Sequence, residues 1–206
     1  MIDTAKQAVS GTGFDTVAFT PSDIPAAIPP SAVAPSPVPV SGAPTVLGSS
    51  FPAVTAADLS DLRSHSLVIP VEGVTADKLV DSFDDLRGGT RRHEAIDIMS
   101  PRGTRVWSAD AGRVLKLHNS VAGGLSIYVA DPTQRFIMLY AHLDHYRLGL
   151  AEGTMVKKGE LLGFVGSTGN ASPSAPHLHF AIARSDNQKE WWKGTPLNPF
   201  LIYRGT

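Results

Sequence analysis

The sequence predicts a mainly β domain of short antiparallel strands, carried on an extended, disordered tether. Two observations point there. Residues 21–52 hold nine of the sixteen prolines, in a stretch otherwise rich in alanine and serine. From Ser66 onward the texture changes to short apolar segments broken by Gly, Pro and Asp turns, the pattern of many short strands.

Taken in order, residues 1–55 read as the tether. Proline removes backbone donors, and alanine and serine offer little to bury, so an extended, solvated chain is expected. Ala56–Arg63, AADLSDLR, reads as a short helix, and 56–65 as a linker. Residues 66–206 read as the folded domain, since a chain of ~150 residues buries about two-thirds of its surface. Thr75–Leu86, TADKLVDSFDDL, is the only other plausible helical turn. The expected strands are LVIPV, TRVWSA, GRVLKLH, LSIYVA, FIMLYAHL, LLGFVG and HLHFAIA. LSIYVA and RFIMLYAH flank Asp131-Pro132-Thr133-Gln134, a turn sequence that predicts a hairpin. There is a weak internal echo. Gly103-Thr104-Arg105-Val106 leads to Gly112-Arg113-Val114, and Gly153-Thr154-Met155-Val156 leads to Gly163-Phe164-Val165. Repeated glycine turns are cheap to match by chance. The echo also fits a lipoyl-type carrier, but nothing marks Lys157 or Lys158 for modification.

Charge and composition exclude several functions. The formal net charge is −1 and the pI about 6.6, so there is no basic field for nucleic acid. With no cysteine, disulfides, thiolate metal sites and cysteine nucleophiles are excluded, and any metal must be held by His, Asp or Glu. No apolar run is long enough to span a membrane. The opening MIDTAKQAVSGTGFDTVAFT lacks the apolar core of a secretory leader. The sequence alone is compatible with a cytoplasmic chain or with an exported one whose leader or anchor lies outside it.

Three histidine segments carry the chemistry. In RRHEAIDI, His93 and Asp97 are four apart, which puts them on one side of either a helix or an extended chain. In LYAHL, a regular strand would place Tyr140 and His142 on one face against Leu139, Ala141 and Leu143. In SAPHLHFAIA, His177 and His179 share a face while Leu178 and Phe180 share the other. A catalytic zinc takes three protein ligands from imidazole nitrogens and carboxylate oxygens. His93, Asp97 and one of the two histidines of HLHF supply such a set. The other, together with His142, can move a proton or steady an oxyanion. Spacing alone does not prove that the segments meet, and a single histidine is more often a satisfied polar residue. His65 and His118 receive no role. Trp191-Trp192 either lines a groove or packs a C-terminal tail onto the domain.

HEAID, YAHL and HLHF, in that order, resemble the H-x-G-x-D, Y-x-H-L and G/P-H-L-H-F motifs of the lysostaphin or LytM type of zinc metallopeptidase, family M23. The resemblance runs from about Leu67 to Ile182 and takes in Ser82-Phe83, Arg87-Gly88-Gly89 and Gly166–Ala171. It implies a compact antiparallel β-sheet fold of barrel-sandwich type, a duplicated hybrid motif, with an open groove over one zinc ion per chain. It implies His93, Asp97 and His179 as metal ligands and His142 and His177 as the catalytic pair, with Tyr140, His145 and Asn170 bordering the substrate groove. A solvated loop is the plainer reading of His145. The implied activity is hydrolysis of peptide bonds in peptidoglycan stems or bridges, in the periplasm or cell envelope. The alternative is a scaffold of the same type that binds or activates another cell-wall hydrolase. Two positions depart from the pattern. Ala95 stands where the glycine of H-x-G-x-D is usual, so the backbone is expected to avoid positive φ there. Ala181 follows HLHF where glutamate is common, so the hydrogen bonding around the site is expected to differ.

Overall fold

A computed structural model describes residues 53–185 and 187–204. The tether expected over 1–55 lies outside these residues except for its last three positions. The framework is a nine-stranded sheet in which every pairing is antiparallel. Its main path joins β11 (Thr195–Leu197), β10 (His177–Arg184), β7 (Phe136–Tyr146), β6 (Gly124–Ala130), β5 (Gly112–Ser120) and β8 (Met155–Val156) in that order. β3 (Ile96–Met99) pairs with β10, and β9 (Leu161–Val165) joins β7 to β4 (Arg105–Trp107). A separate two-stranded hairpin is made of β1 (Leu86–Arg87) and β2 (Arg91–Arg92). The architecture is thus mainly β and antiparallel, as the sequence predicts.

Alternation explains the core. On β10, Leu178, Phe180 and Ile182 are fully buried, while His177, His179 and Ala181 on the opposite face are partly open. On β3, Ile96 and Ile98 enter the same core. Phe136, Met138 and Tyr140 of β7 complete its centre. Each such side chain contributes roughly 1.5–3 kcal/mol by leaving water. The β6–β7 turn closes on Asp131, whose carboxylate accepts from the backbone N–H of Thr133 at 2.9 Å and of Phe136 at 2.7 Å.

The internal echo proves to be structural. β4 of the first copy pairs with β9 of the second, and β5 of the first pairs with β8 of the second. The hydrogen bonds repeat as well. Gly103 donates to the Val165 carbonyl at 2.8 Å and Val165 donates to Thr104 at 2.8 Å; Gly153 donates to Val114 at 2.7 Å and Val114 donates to Thr154 at 2.9 Å. Gly103 and Gly153 have φ of +85° and +87°, a backbone conformation that any side chain would strain.

Two readings are corrected. LVIPV makes no strand beyond a single bridge between Val71 and Val106, because Pro70 interrupts its donors. The segment 75–86 folds only one 3-10 turn, Ala76–Lys78. The first helix, α1 (Ala56–Ser64), opens on a capping box in which Thr55 and Asp58 exchange hydrogen bonds. It is not a bare linker. Leu62 is fully buried in the main core, and Asp58 pairs with Arg135 at 3.0 Å and Arg184 at 2.7 Å. A second short helix, α2 (Pro199–Tyr203), buries Ile202. Leu62→Ala is therefore expected to cost roughly 2–5 kcal/mol in urea unfolding. A loss under about 0.5 kcal/mol would restore the linker reading.

Candidate metal centre

The β3–β10 register builds the site. Asp97 lies directly opposite His179, and His177 opposite Met99. Because Leu178 and Ile98 go to the core, Asp97, His177 and His179 all face the open side. His93 arrives from the connection between β2 and β3, which is held by two backbone bonds, His93 N–H to Asp85 and Glu94 N–H to Phe83, each 2.9 Å. The positive φ in this turn falls on Glu94 (+58°), so Ala95 keeps ordinary backbone and its methyl is fully buried. The alanine departure costs the turn nothing.

Three donor atoms converge. His93 Nε2 lies 2.9 Å from His179 Nδ1 and 3.0 Å from Asp97 Oδ1, and His179 Nδ1 lies 3.2 Å from the same oxygen. Ligand atoms of a tetrahedral ion bound at about 2.0–2.1 Å stand roughly 3.3 Å apart, so the triangle fits a small divalent cation. Its protonation fits too. His93 Nδ1 is 2.9 Å from the Ser82 carbonyl, which only accepts, so Nδ1 carries the proton and Nε2 presents a lone pair. A lone pair, a carboxylate oxygen and a partly buried imidazole meet with at most one proton between them. Burial works to raise the Asp97 pKa, but His179 and His93 beside it hold it well below the usual carboxylate range. Burial lowers that of His179, favouring the neutral ligand form.

His142 and His177 flank this triangle. The His142 ring centroid is 5.0 Å from that of His177 and 5.6 Å from that of His179. His177 Nε2 stands 3.7 Å from Asp97 Oδ1. Both rings are oriented by carbonyls. His142 Nδ1 donates to Thr168 at 2.8 Å and His177 Nδ1 to Ala175 at 2.9 Å. Each neutral ring therefore turns an unprotonated Nε2 away from its carbonyl partner. Burial pushes the His142 pKa down, which keeps it ready to accept a proton.

Three groove assignments meet different fates. Asn170 borders the cavity of about 340 Å³ around the donors. Tyr140 does not: it is fully buried in the core, and its hydroxyl accepts from Ala109 N–H at 2.9 Å. The reason is a bulge. β7 spends one more residue than β6 between the Ile127–Tyr140 and Leu125–Leu143 pairs, and His142 takes φ of +60°. Alternation slips by one, so Tyr140 and Leu143 both face the core and His142 faces the groove. The bulge is also where β7 leaves β10 and begins to pair with β9. His145 is absent from the cavity as well. It is exposed, stacks on Phe164 at 4.3 Å and bonds Asp144 at 2.8 Å.

The orienting groups were the least legible. Backbone carbonyls of Ser82, Thr168 and Ala175 leave no mark in a sequence. Arg87 had a signal only as part of Arg-Gly-Gly, yet its Nη2 holds Asp97 Oδ2 at 2.6 Å. That contact occupies one carboxylate oxygen and leaves Oδ1 for the triangle. Arg87→Ala is expected to weaken metal affinity about 10- to 100-fold in a chelator competition titration, and unchanged affinity would deny it a positioning role.

Comparison with known proteins identifies the family. The chain is 30% identical over 138 residues to the L-Ala–D-Glu endopeptidase of Bacillus subtilis, covering 64% of this chain and 41% of that protein. It is 32% identical over 93 residues to the peptidoglycan DD-endopeptidase ShyC of Vibrio cholerae, covering 45% and 20%. The chain thus spans less than half the length of either. The catalytic domain of lysostaphin from Staphylococcus simulans shares the fold, with a TM-score of 0.50 at 23% identity over 71% of this chain and 98% of that one. The model of peptidase family M23 matches residues 91–199, from the second hairpin strand to the start of α2. That span takes in all five converging side chains, and the chain belongs to peptidase family M23.

Proposed function

We propose that this chain is a zinc-dependent endopeptidase that cuts peptide bonds in the cross-links or stems of bacterial peptidoglycan, in the cell envelope. The observation that carries the reading is the triangle of His93, Asp97 and His179 donors, with edges of 2.9–3.2 Å, flanked by two imidazoles with free Nε2 atoms. The two relatives named as endopeptidases support the substrate class.

When bound, zinc would polarise the scissile carbonyl and make water a nucleophile at neutral pH. The residues do the rest. We assign the base to His142, which burial keeps in its neutral form. Its Nε2 takes the proton released as water adds to the carbonyl carbon, and returns it to the leaving amine as the C–N bond breaks. His177, whose ring centroid is 5.0 Å from that of His142, steadies the oxyanion once it carries a proton. Thr168 and Ala175 hold both rings so that no rotation is needed at the moment of reaction. The scaffold alternative requires none of this, and the complete set of donors and bases supports catalysis over it.

Dye release from labelled peptidoglycan tests the reading. Release is expected with the purified protein, is lost on adding chelator and returns on adding zinc. Release that ignores chelator, or its absence after zinc loading, would contradict it.

A further inference from the structure

The β1–β2 hairpin carries an unbalanced charge over the groove. Its register sets Arg87 directly opposite Arg91. Like charges directly opposite on a ribbon destabilise it, so such a pair needs anions to offset it. Both side chains border the metal cavity. Arg87 is neutralised by Asp97 Oδ2 at 2.6 Å. Arg92 turns away to Asp84 at 3.1 Å. Arg91 is left over. Among the described residues its one hydrogen bond, from Nη1 to the Arg92 carbonyl, is long at 3.4 Å, and no carboxylate pairs with it.

Position adds to this. A second cavity of about 240 Å³ continues past His93 along the same face of β10, over Ala181 and Ala183 and against Trp191 and Trp192. Arg91 and His93 are the two residues that border both cavities. Trp191 is held there by an edge contact with Tyr128 at 4.5 Å and a tilted contact with His118 at 5.3 Å. The small side chain of Ala181 helps to keep the passage open. With neutral histidines, the charged side chains around the metal cavity are Arg87, Arg91 and Asp97, two positive and one negative. In the second cavity Lys193 is held by Glu190 at 2.6 Å, which leaves Arg91 and Glu94 as its remaining charged side chains.

We propose that Arg91 is a specificity residue that binds a free carboxylate on the peptide substrate, close to the bond that is cut. The enzyme then selects acidic stem peptides over amidated or polyglycine ones. This deepens the peptidase reading and rests on it. A guanidinium presents a planar fork of donors that matches a carboxylate and finds no such partner in a carboxamide or a bare glycine.

The test is a matched pair of cross-linked muropeptides, identical except that one carries a free carboxylate and the other a carboxamide beside the scissile bond. The zinc-loaded protein is expected to prefer the acid by roughly 10- to 100-fold in kcat/KM, the range of a charge-assisted hydrogen bond. Because Arg91 is exposed, that preference is expected to shrink as salt is added. Arg91→Gln is expected to bring the ratio to about one, and Arg91→Lys to restore part of it as a point charge. Zinc content and circular dichroism confirm that each variant is folded and loaded. Equal cleavage of both peptides by the unaltered protein, or a preference that survives Arg91→Gln, overturns this inference alone. Cleavage of neither peptide overturns the peptidase reading and takes this inference with it.

Discussion

Replacing His142 is expected to stop turnover while leaving the metal in place. His142 offers no donor to the His93–Asp97–His179 triangle, so metal content after dialysis should match that of the unaltered protein. Loss of a positioned acid–base group typically costs 10²–10⁴-fold, and kcat should fall by about that much on cross-linked muropeptides. The choice of substituent matters. His142 holds φ of +60°, where alanine is strained and asparagine is tolerated. His142→Asn should therefore be inactive at nearly full stability, whereas His142→Ala should be inactive and less stable by about 1 kcal/mol. An active His142→Asn protein would remove this residue from the mechanism.

The second large effect belongs to the donors. Asp97→Ala or His179→Ala removes one of the three proposed protein ligands. Structural zinc sites of four ligands bind with roughly 10–16 kcal/mol, so each ligand carries about 3 kcal/mol or more, a hundredfold or more in affinity. Both variants are expected to lose the ion on dialysis and to show only background hydrolysis. They should still fold, because Asp97 and His179 lie on the open face of β3 and β10 while Ile96, Ile98, Leu178 and Phe180 form the core beneath them. A variant that keeps one equivalent of tightly held zinc would show that the ion sits elsewhere.

Much of this site was readable before any coordinates, for a simple reason. A strand has a period of two, so HLHF places both histidines on one face and gives the core the other. IDIM opposite it reads the same way, and antiparallel pairing then sets Asp97 against His179. His142 was legible as a candidate reactive residue but not in its geometry. Its left-handed backbone shifts the phase of β7, and this sent Tyr140 to the core against the expectation of a shared face. Such a bulge depends on how β7 passes from β10 to β9, a tertiary fact that no local pattern contains. The same holds for α1. Its sequence promises a helix, but only packing reveals that Leu62 belongs to the core and Asp58 to an ion cluster. The echo around Gly103 and Gly153 was visible yet undecidable until the swapped pairings β4–β9 and β5–β8 gave it meaning.

Anomalous diffraction at the zinc absorption edge, from crystals of the zinc-loaded protein, bears most directly on the whole account. A single peak about 2.0–2.2 Å from His93 Nε2, Asp97 Oδ1 and His179 Nδ1 is the expected result. A peak at any other set of side chains, or none at full zinc loading, would contradict it.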